Sequence, residues 1–359
     1  MSEHDIPFLI IEDLVVSYGQ GAVVDRVSLS LGEQGITALV GPSGCGKTAL
    51  LRAIAGFETP LSGRIAIDGN EVFGSGRNVE PEKRGVIMVF QDGALFPHLS
   101  VHANVGYGVL DRGRRERAAD EALRLVGLDK MADRYPDQLS GGQQQLVALA
   151  RALAPKPRAV LLDEPFASLD ADLRGRLRDE VPAILRAAEV PAILVTHDQE
   201  EALSVADRVA VMFRGRLLQI GPPDEIYNWP EAPEVARFIG GGQLVTCDVR
   251  GGQVCSVLGE LSTQAEDGPG RLLVRPEDLT IAASGAPSVA GVVIRRNFYG
   301  HDRVDDVRLE SGEVLRMRGL GNETHEIGTT VQMALRDKPY RLFLDRDGES
   351  LVHQATRAR

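Results

Sequence analysis

Short apolar runs recur between residues 36 and 196, each bounded by glycine, proline or charged residues. Residues 36–40, 159–162 and 190–196 are almost wholly apolar. Runs of this kind are typical of strands buried on both faces of a parallel sheet. Residues 86–90 predict another short strand between turns. The pattern therefore predicts an α/β core built on buried strands.

Residues 8–31 show a different pattern, in which apolar and polar positions alternate and Gly19, Gly21 and Gly32 separate the segments. Alternation is typical of a strand with one buried and one solvated face. Residues 63–69 have the composition of a further short strand. We therefore expect an antiparallel sheet beside the parallel strands.

Helical patterns occupy four segments of the chain. Residues 49–56 end at Gly56, residues 111–127 separate charged from apolar positions, and residues 140–155 carry an apolar stripe of Leu146, Leu149, Ala150 and Leu153. Residues 173–188 predict a fourth helix that contains Pro182. Because proline removes a backbone hydrogen bond at a cost of about 3 kcal/mol, we expect a kink or a break there.

A glycine-rich loop lies between the strand at residues 36–40 and the helix at residues 49–56. This order of strand, loop and helix is the context that a phosphate-binding loop requires. Glycines let backbone N–H groups converge on an anion, while a lysine contacts the β- and γ-phosphates and a threonine hydroxyl ligates Mg²⁺. The alternative is a glycine-rich turn without a ligand, and the flanking strand and helix argue against it. The candidate phosphate-binding residues are Gly41, Pro42, Ser43, Gly44, Cys45, Gly46, Lys47 and Thr48.

A second motif opens the helix at residues 140–155. Ser140 and Gln143 stand three positions apart, which has the form of a capping box, with Gly141 and Gly142 between them. One interpretation is a well-capped core helix. The other is a second anion site, because glycines expose N–H groups at the positive end of a helix dipole. The spacing alone leaves both open.

Polar side chains follow two of the buried strands. Asp163 and Glu164 end one strand and His197 follows another. Charges at the end of an apolar strand require a cation or hydrogen bonds. Asp163 can hold Mg²⁺, and Glu164 can accept a proton from an attacking water. A single histidine there is more often structural, but ligands of open α/β sheets bind at this edge, and the accompanying phosphate-directed motifs favour a functional role for His197.

Two further residues are candidates because of their positions at strand ends. Tyr18 could stack on an adenine ring or pack on the sheet, and its spacing favours packing. Gln91 could reach a metal or a water in a nucleotide cleft or be an ordinary polar residue.

Length and composition limit the classes of function. A chain of 359 residues predicts two domains. The net charge of -11 argues against a nucleic-acid-binding protein. No apolar run is long enough to span a bilayer, and the first residues lack a secretory-signal pattern. The few cysteines, Cys45, Cys247 and Cys255, indicate a reducing cytoplasm rather than a disulfide framework or a zinc site.

The C-terminal third has a strand pattern. Gly240, Gly241 and Gly242 predict a hinge, after which short alternating segments and glycine turns dominate. Residues 304–309 are expected to pair with residues 314–318. We predict a small β-barrel of the OB type.

The motifs at residues 41–48, 139–143, 159–164 and 197, taken in that order, resemble the nucleotide-binding subunit of ABC transporters. The resemblance implies a P-loop NTPase (RecA-like) α/β core with an antiparallel β subdomain and a helical subdomain, spanning residues 1–240. An OB-like regulatory domain of the TOBE type would span residues 241–359. It also implies an ATPase that uses ATP and Mg²⁺ and works as a homodimer.

In that family, each ATP lies between the phosphate loop of one subunit and the signature helix of the other. The resemblance therefore assigns Ser140, Gly142 and Gln143 to the γ-phosphate in trans. It assigns adenine stacking to Tyr18 and metal and water sensing to Gln91. Asp163 becomes the magnesium carboxylate, Glu164 the general base and His197 the γ-phosphate contact, while residues 168–170 resemble the loop that couples the two sites. Leu146 departs from the usual arginine, so turnover or dimer affinity is expected to differ.

Residues 274–278 resemble the entry to the regulatory domain of importer ATPases. This implies partners, namely integral membrane permease subunits and, indirectly, an extracytoplasmic solute-binding protein, at the cytoplasmic face of the cell membrane. The C-terminal domain looks most like the ferric iron branch; polyamine, phosphonate, oxyanion and sugar import are the alternatives. A soluble ABC ATPase acting on nucleic acid or ribosomes is the rival of another class. A barrel that binds a regulatory ion is a third hypothesis.

Overall fold

The computed structural model describes residues 7–19, 21–32, 34–91, 93–167, 169–283, 287–322, 325–346 and 349–356. Two units divide the chain, Met1–Pro223 and Asp224–Arg359. The first unit ends before the Gly240–Gly242 run, and the domain ranges 1–240 and 241–359 stay a prediction. None of the helices in these ranges has the length and apolar character needed to cross a bilayer.

The first unit contains eleven strands and six α-helices in its described residues. They are, in chain order, β1 (Leu9–Ser17), β2 (Ala22–Leu31), β3 (Ile36–Val40), α1 (Lys47–Ala55), β4 (Ser62–Ile67), β5 (Asn70–Gly74), β6 (Arg77–Asn78), β7 (Val86–Val89), α2 (Val101–Gly106), α3 (Arg115–Leu125), α4 (Gly141–Leu153), β8 (Ala159–Asp163), α5 (Ala171–Ala187), β9 (Ala192–Thr196), α6 (Gln199–Val205), β10 (Arg208–Phe213) and β11 (Arg216–Gly221).

Two sheets organise this unit. The first has the order β11-β10-β3-β9-β8-β7, and its strands from β10 to β7 pair in parallel. Every residue of β3, β8 and β9 is buried, as the apolar runs predict. Since parallel strands share a direction, the carboxyl ends of β3, β7, β8 and β9 lie along one edge. The second sheet, β2-β1-β4-β5-β6, is antiparallel, which confirms the alternation of residues 8–31.

The helices confirm the predicted periodicity with one exception. The α4 stripe of Leu146, Leu149, Ala150 and Leu153 is buried. The break expected at Pro182 is wrong, because α5 is one continuous helix of 17 residues that contains this proline. Several apolar side chains of α5 are buried around it, and their burial outweighs one missing hydrogen bond.

The second unit consists mainly of strands. Its elements, beginning with a helix that starts at the boundary, are α7 (Pro223–Asn228), α8 (Pro233–Phe238), β12 (Gln243–Arg250), β13 (Gln253–Ser256), β14 (Gly259–Thr263), β15 (Gly268–Val274), β16 (Leu279–Ile281), β17 (Val289–Phe298), β18 (Asp302–Leu309), β19 (Val314–Leu320), β20 (Thr330–Leu335), β21 (Tyr340–Arg346) and β22 (Glu349–Thr356).

These strands form a closed barrel, β12-β13-β14-β22-β21-β15, and a five-stranded sheet, β16-β20-β17-β18-β19. The barrel confirms the OB-like prediction. Val304 pairs with Arg318 and Val307 with Leu315, so the predicted hairpin between β18 and β19 is confirmed.

Candidate functional site

The loop between β3 and α1 has backbone that only glycine accommodates. Gly46 has φ +105, and a Cβ atom on it would lie 2.3 Å from the Val23 carbonyl oxygen. A Cβ on Gly41 would lie 2.1 Å from the Met212 carbonyl oxygen. Because both obstacles are backbone atoms, neither can move aside without shifting a strand. The loop is therefore shaped by its glycines, as a phosphate cradle requires.

Lys47 is the first residue of α1 and is buried inside the loop that precedes it. Its ammonium donates hydrogen bonds to the Gly41 carbonyl at 2.8 Å and to the Pro42 carbonyl at 3.1 Å. Both acceptors are neutral, so the positive charge remains available to an anion seated in the loop.

Thr48 and Asp163 meet across the site although β8 lies far along the chain from α1. The Thr48 hydroxyl donates to Asp163 Oδ1 at 3.1 Å. Asp163 is buried, and burial raises the pKa of its carboxyl, which the hydrogen bond from Thr48 partly offsets. A buried carboxylate beside a hydroxyl is a donor set that suits Mg²⁺, and a cation would relieve the cost of its burial.

The described residues contain no group of three or more histidine, cysteine or carboxylate side chains able to hold a metal ion. Mg²⁺ held by Thr48 and Asp163 would therefore need phosphate and water oxygens to complete its coordination.

Glu164 and His197 form the second pair at this edge. Glu164 Oε2 lies 3.0 Å from His197 Nδ1, and both side chains remain partly exposed. Glu164 adopts φ +46, which is unusual for a residue with a side chain, and its N–H donates to the Val195 carbonyl at 3.0 Å. Such backbone costs on the order of 1–3 kcal/mol. The pair therefore places a carboxylate within hydrogen-bond distance of an imidazole at the carboxyl ends of β8 and β9.

The capping box at the start of α4 is confirmed. The Gln143 N–H donates to Ser140 Oγ at 3.4 Å, and the Ser140 N–H donates to Gln143 Oε1 at 3.0 Å. Gly142 is buried, and a Cβ there would lie 2.5 Å from Leu173 Cδ1. Among the described residues, no hydrogen bond or ion pair links Ser140–Gln143 to residues 41–48, the other candidate anion site.

Tyr18 and Gln91 lie just beyond the ends of β1 and β7. The Tyr18 side chain is 56% exposed, which argues against the alternative in which the ring packs into the sheet. Its pKa is raised, first by partial burial and then by Glu58. Gln91 is exposed one residue after Phe90. Both side chains are accessible to a ligand. Of the predicted coupling loop, Ser168 lies outside the described residues.

Sequence reasoning missed a hydrogen-bonded cluster behind His197. Thr196 and Glu201 are buried, and the Thr196 hydroxyl donates to Glu201 Oε2 at 2.6 Å. Asp198 caps α6 by accepting from the N–H groups of Glu200 and Glu201 at 2.8 and 3.3 Å. The cap has a signal in the sequence, namely an aspartate before a helix with acidic residues in its first turn. The partnership of Thr196 with Glu201 has none.

Comparison with protein-family models matches residues 24–167 to the family described as ABC transporter and residues 272–343 to the TOBE domain. The first match contains the loop at residues 41–48, Ser140–Gln143, Asp163 and Glu164. Tyr18 and His197 lie outside it.

Two curated relatives match most of the chain. The Fe(3+) ions import ATP-binding protein FbpC 2 of Rhodococcus jostii (strain RHA1) is 47% identical over 300 residues, which cover 83% of this chain and 86% of the relative. The Fe(3+) ions import ATP-binding protein FbpC of Yersinia pestis is 42% identical over 325 residues, 88% of this chain and 93% of the relative.

Two solved structures are similar to the larger part of the chain. One is cbiO1 from Clostridium perfringens, part of the cbiONQ transporter complex, with a TM-score of 0.57 and 29% identity over 65% of this chain and 94% of that chain. The other is a dimeric post-hydrolysis state of an ATP-binding cassette bound to ADP and Pi, with a TM-score of 0.51 and 26% identity over 60% and 98% of the two chains.

Proposed function

This chain belongs to the ABC transporter family as an import ATP-binding subunit, and from that premise we propose that it hydrolyses ATP at the β3–β8–β9 edge to drive uptake of ferric iron. One observation carries the proposal. A buried lysine in a glycine loop, the pair Thr48–Asp163 and the pair Glu164–His197 are all presented at the carboxyl ends of neighbouring strands. Hydrolysis of a nucleoside triphosphate needs a phosphate cradle, a magnesium site and a base for the attacking water, all close to one another.

Each side chain has a proposed role at that edge. The loop at residues 41–48 holds the phosphates, and Lys47 contacts the β- and γ-phosphates. Thr48 and Asp163 hold Mg²⁺ with Gln91 nearby; the ion, when bound, neutralises charge on the phosphates. Glu164 accepts a proton from the attacking water, supported by its hydrogen-bond distance to His197, which contacts the γ-phosphate.

The remaining roles require a second copy of the chain. Ser140, Gly142 and Gln143 of one protomer face the γ-phosphate held by its partner, and Tyr18 stacks on adenine. Since Ser140 and Gly141 at the capped start of α4 are exposed, this N-terminus is suited to an anion from outside its own chain. The dimeric state of the related cassette supports a homodimer.

The transported solute comes from the names of the relatives, which are ferric iron import proteins at 42–47% identity. The motor works beneath integral membrane permease subunits at the cytoplasmic face of the cell membrane, with an extracytoplasmic solute-binding protein delivering the solute. Polyamine, phosphonate, oxyanion or sugar import by the same motor would be the alternatives.

ATP turnover of the Glu164→Gln variant tests the site. Gln has the shape of Glu but accepts a proton poorly, so we expect phosphate release to fall about 100-fold or more while ATP still binds. Glu180→Gln, which changes an exposed residue of α5, is the matched control and should retain full turnover. Near-normal phosphate release by Glu164→Gln would remove Glu164 as the base.

Uptake tests the solute. Proteoliposomes that contain the full chain, its permease and its binding protein should accumulate radiolabelled ferric iron only with internal ATP. The Glu164→Gln variant should abolish accumulation. Accumulation of a polyamine or a sugar in place of iron would leave the motor intact and refute the solute.

A further inference from the structure

A buried acid lies behind His197 and has no part in the proposed chemistry. Glu201 is 5% exposed and Thr196 is 2% exposed, and their side chains share a hydrogen bond of 2.6 Å. Burial raises the pKa of Glu201, while the Thr196 hydroxyl lowers it. Burial of an acid costs stability unless hydrogen bonds or an opposite charge offset it, and the Thr196 hydroxyl supplies one such bond to Glu201.

The Thr196 hydroxyl makes two hydrogen bonds, one to α6 and one to the residue after His197. It donates to Glu201 Oε2, and it accepts from the Asp198 N–H at 2.9 Å. Asp198 in turn caps the helix that carries Glu201. His197 therefore lies in the middle of a three-residue turn that the hydrogen bond from the Asp198 N–H to the Thr196 hydroxyl closes, and this bond restrains the backbone that carries the imidazole.

Helix α5 supplies charge to the same cluster. Arg178 lies 3.7 Å from Glu201 Oε1 and 3.4 Å from Asp198 Oδ2. One turn earlier, Arg174 donates to the Leu169 carbonyl at 2.9 Å. A cavity of about 40 Å³ lies among Glu164, Ala167, Arg174, Thr196, His197 and Glu201. The base, the imidazole and the buried acid thus surround one small space.

We propose that Thr196 and Glu201 are positioning residues that hold His197 against Glu164, with Arg178 balancing the charge of Glu201. Neither residue touches nucleotide in this proposal; both act through His197. The inference rests on the proposed function, because it requires that His197 serves ATP hydrolysis. It predicts that a change at Thr196 matters only while His197 is present.

The experiment compares Thr196→Val and Thr196→Ser in the full chain, each with His197 intact and with His197→Ala. Valine keeps the shape of threonine without the hydroxyl, and serine keeps the hydroxyl. With His197 intact, we expect valine to lower kcat about 10- to 100-fold with little change in KM for ATP, and serine to retain most of the activity. When His197→Ala is already present, Thr196→Val should lower kcat no further, because the effects of two substitutions that act through the same residue do not add.

Two results would overturn the inference. One is unchanged kcat in Thr196→Val, and the other is an equal loss from valine with and without His197. If His197→Ala alone leaves kcat intact, the failure lies in the proposed role of His197 instead. Should Thr196→Val lower the midpoint of thermal unfolding markedly, Glu201→Ala and Glu201→Gln replace it. Glutamine can still accept from Thr196, so it should lose less kcat than alanine, and an equal loss would refute the role.

Discussion

Arg84 joins the C-terminal end of the phosphate-loop helix to the segment that follows β6. It is 3% exposed, and its guanidinium donates to the carbonyls of Ala53 at 2.7 Å, Ile54 at 3.0 Å and Val79 at 2.8 Å, and to Asn78 Oδ1 at 2.9 Å. Ala53 and Ile54 belong to the last turn of α1, whose carbonyls have no helical partner. A cation there also opposes the negative end of the helix dipole.

Substitution of Arg84 by methionine keeps the apolar stem and removes every donor. Among the described residues, Ala53 retains a bond from the Gly56 N–H at 3.3 Å, while Ile54 and Val79 lose the partner that the structure shows. Each buried carbonyl left unpaired costs about 1–3 kcal/mol. Burial lowers the pKa of Arg84, so removal of the charge recovers part of that cost. We therefore expect a net loss of about 2–4 kcal/mol.

For a unit of this size, that loss lowers the midpoint of thermal unfolding by roughly 10 °C. Calorimetry of the full chain would resolve the transition of the first unit. The midpoint of Arg84→Lys should lie between those of the wild type and Arg84→Met, because an ammonium can replace only some of the hydrogen bonds of the guanidinium. Arg77→Met, which changes an exposed residue, should leave the midpoint unchanged. A loss below about 1 kcal/mol in Arg84→Met would refute the argument that these carbonyls depend on Arg84.

Two further changes test the site. Gly41→Ala places a Cβ atom 2.1 Å from the Met212 carbonyl oxygen, so it should abolish binding of a fluorescent ATP analogue. The control Gly32→Ala meets nothing within 4 Å and should bind the analogue normally. Normal binding by Gly41→Ala would contradict the role of residues 41–48 as a phosphate cradle. Burial raises the pKa of Asp163, so the nucleotide-free chain loses stability as pH rises from the ordinary value of 3.8 to the raised value, and the full cost remains at any higher pH. Asp163→Asn should therefore raise the midpoint of thermal unfolding at neutral pH without nucleotide. It should also remove the rise in midpoint that Mg²⁺ and ATP cause in the wild type. A lower midpoint without nucleotide would show that neighbouring groups already offset the cost of burying the carboxylate.

The parts of the site that could be predicted are those that depend on residues close together in the sequence. The strand, loop and helix around Lys47 and the capping box at Ser140 depend on spacing within a few positions, and the structure has both. The position of Glu164 after a buried strand is equally local. Its distance to His197 is not, because β8 and β9 become neighbours only when the sheet forms. The pairing of Thr196 with Glu201 could not be predicted, because it joins the last residue of β9 to α6 and so depends on how that helix packs against the sheet.

The break expected at Pro182 does not occur, and the reason is energetic. Proline removes one hydrogen bond and costs about 3 kcal/mol in an isolated helix. In α5, Leu177, Val181, Ile184 and Leu185 are buried around it, and burial of such side chains contributes about 1.5–3 kcal/mol each. The burial of these side chains therefore contributes more stability than the proline removes, and the helix continues. The carbonyl that the proline deprives of a partner belongs to Arg178, four residues earlier, so the helix tolerates its weakest turn next to the guanidinium that faces Glu201.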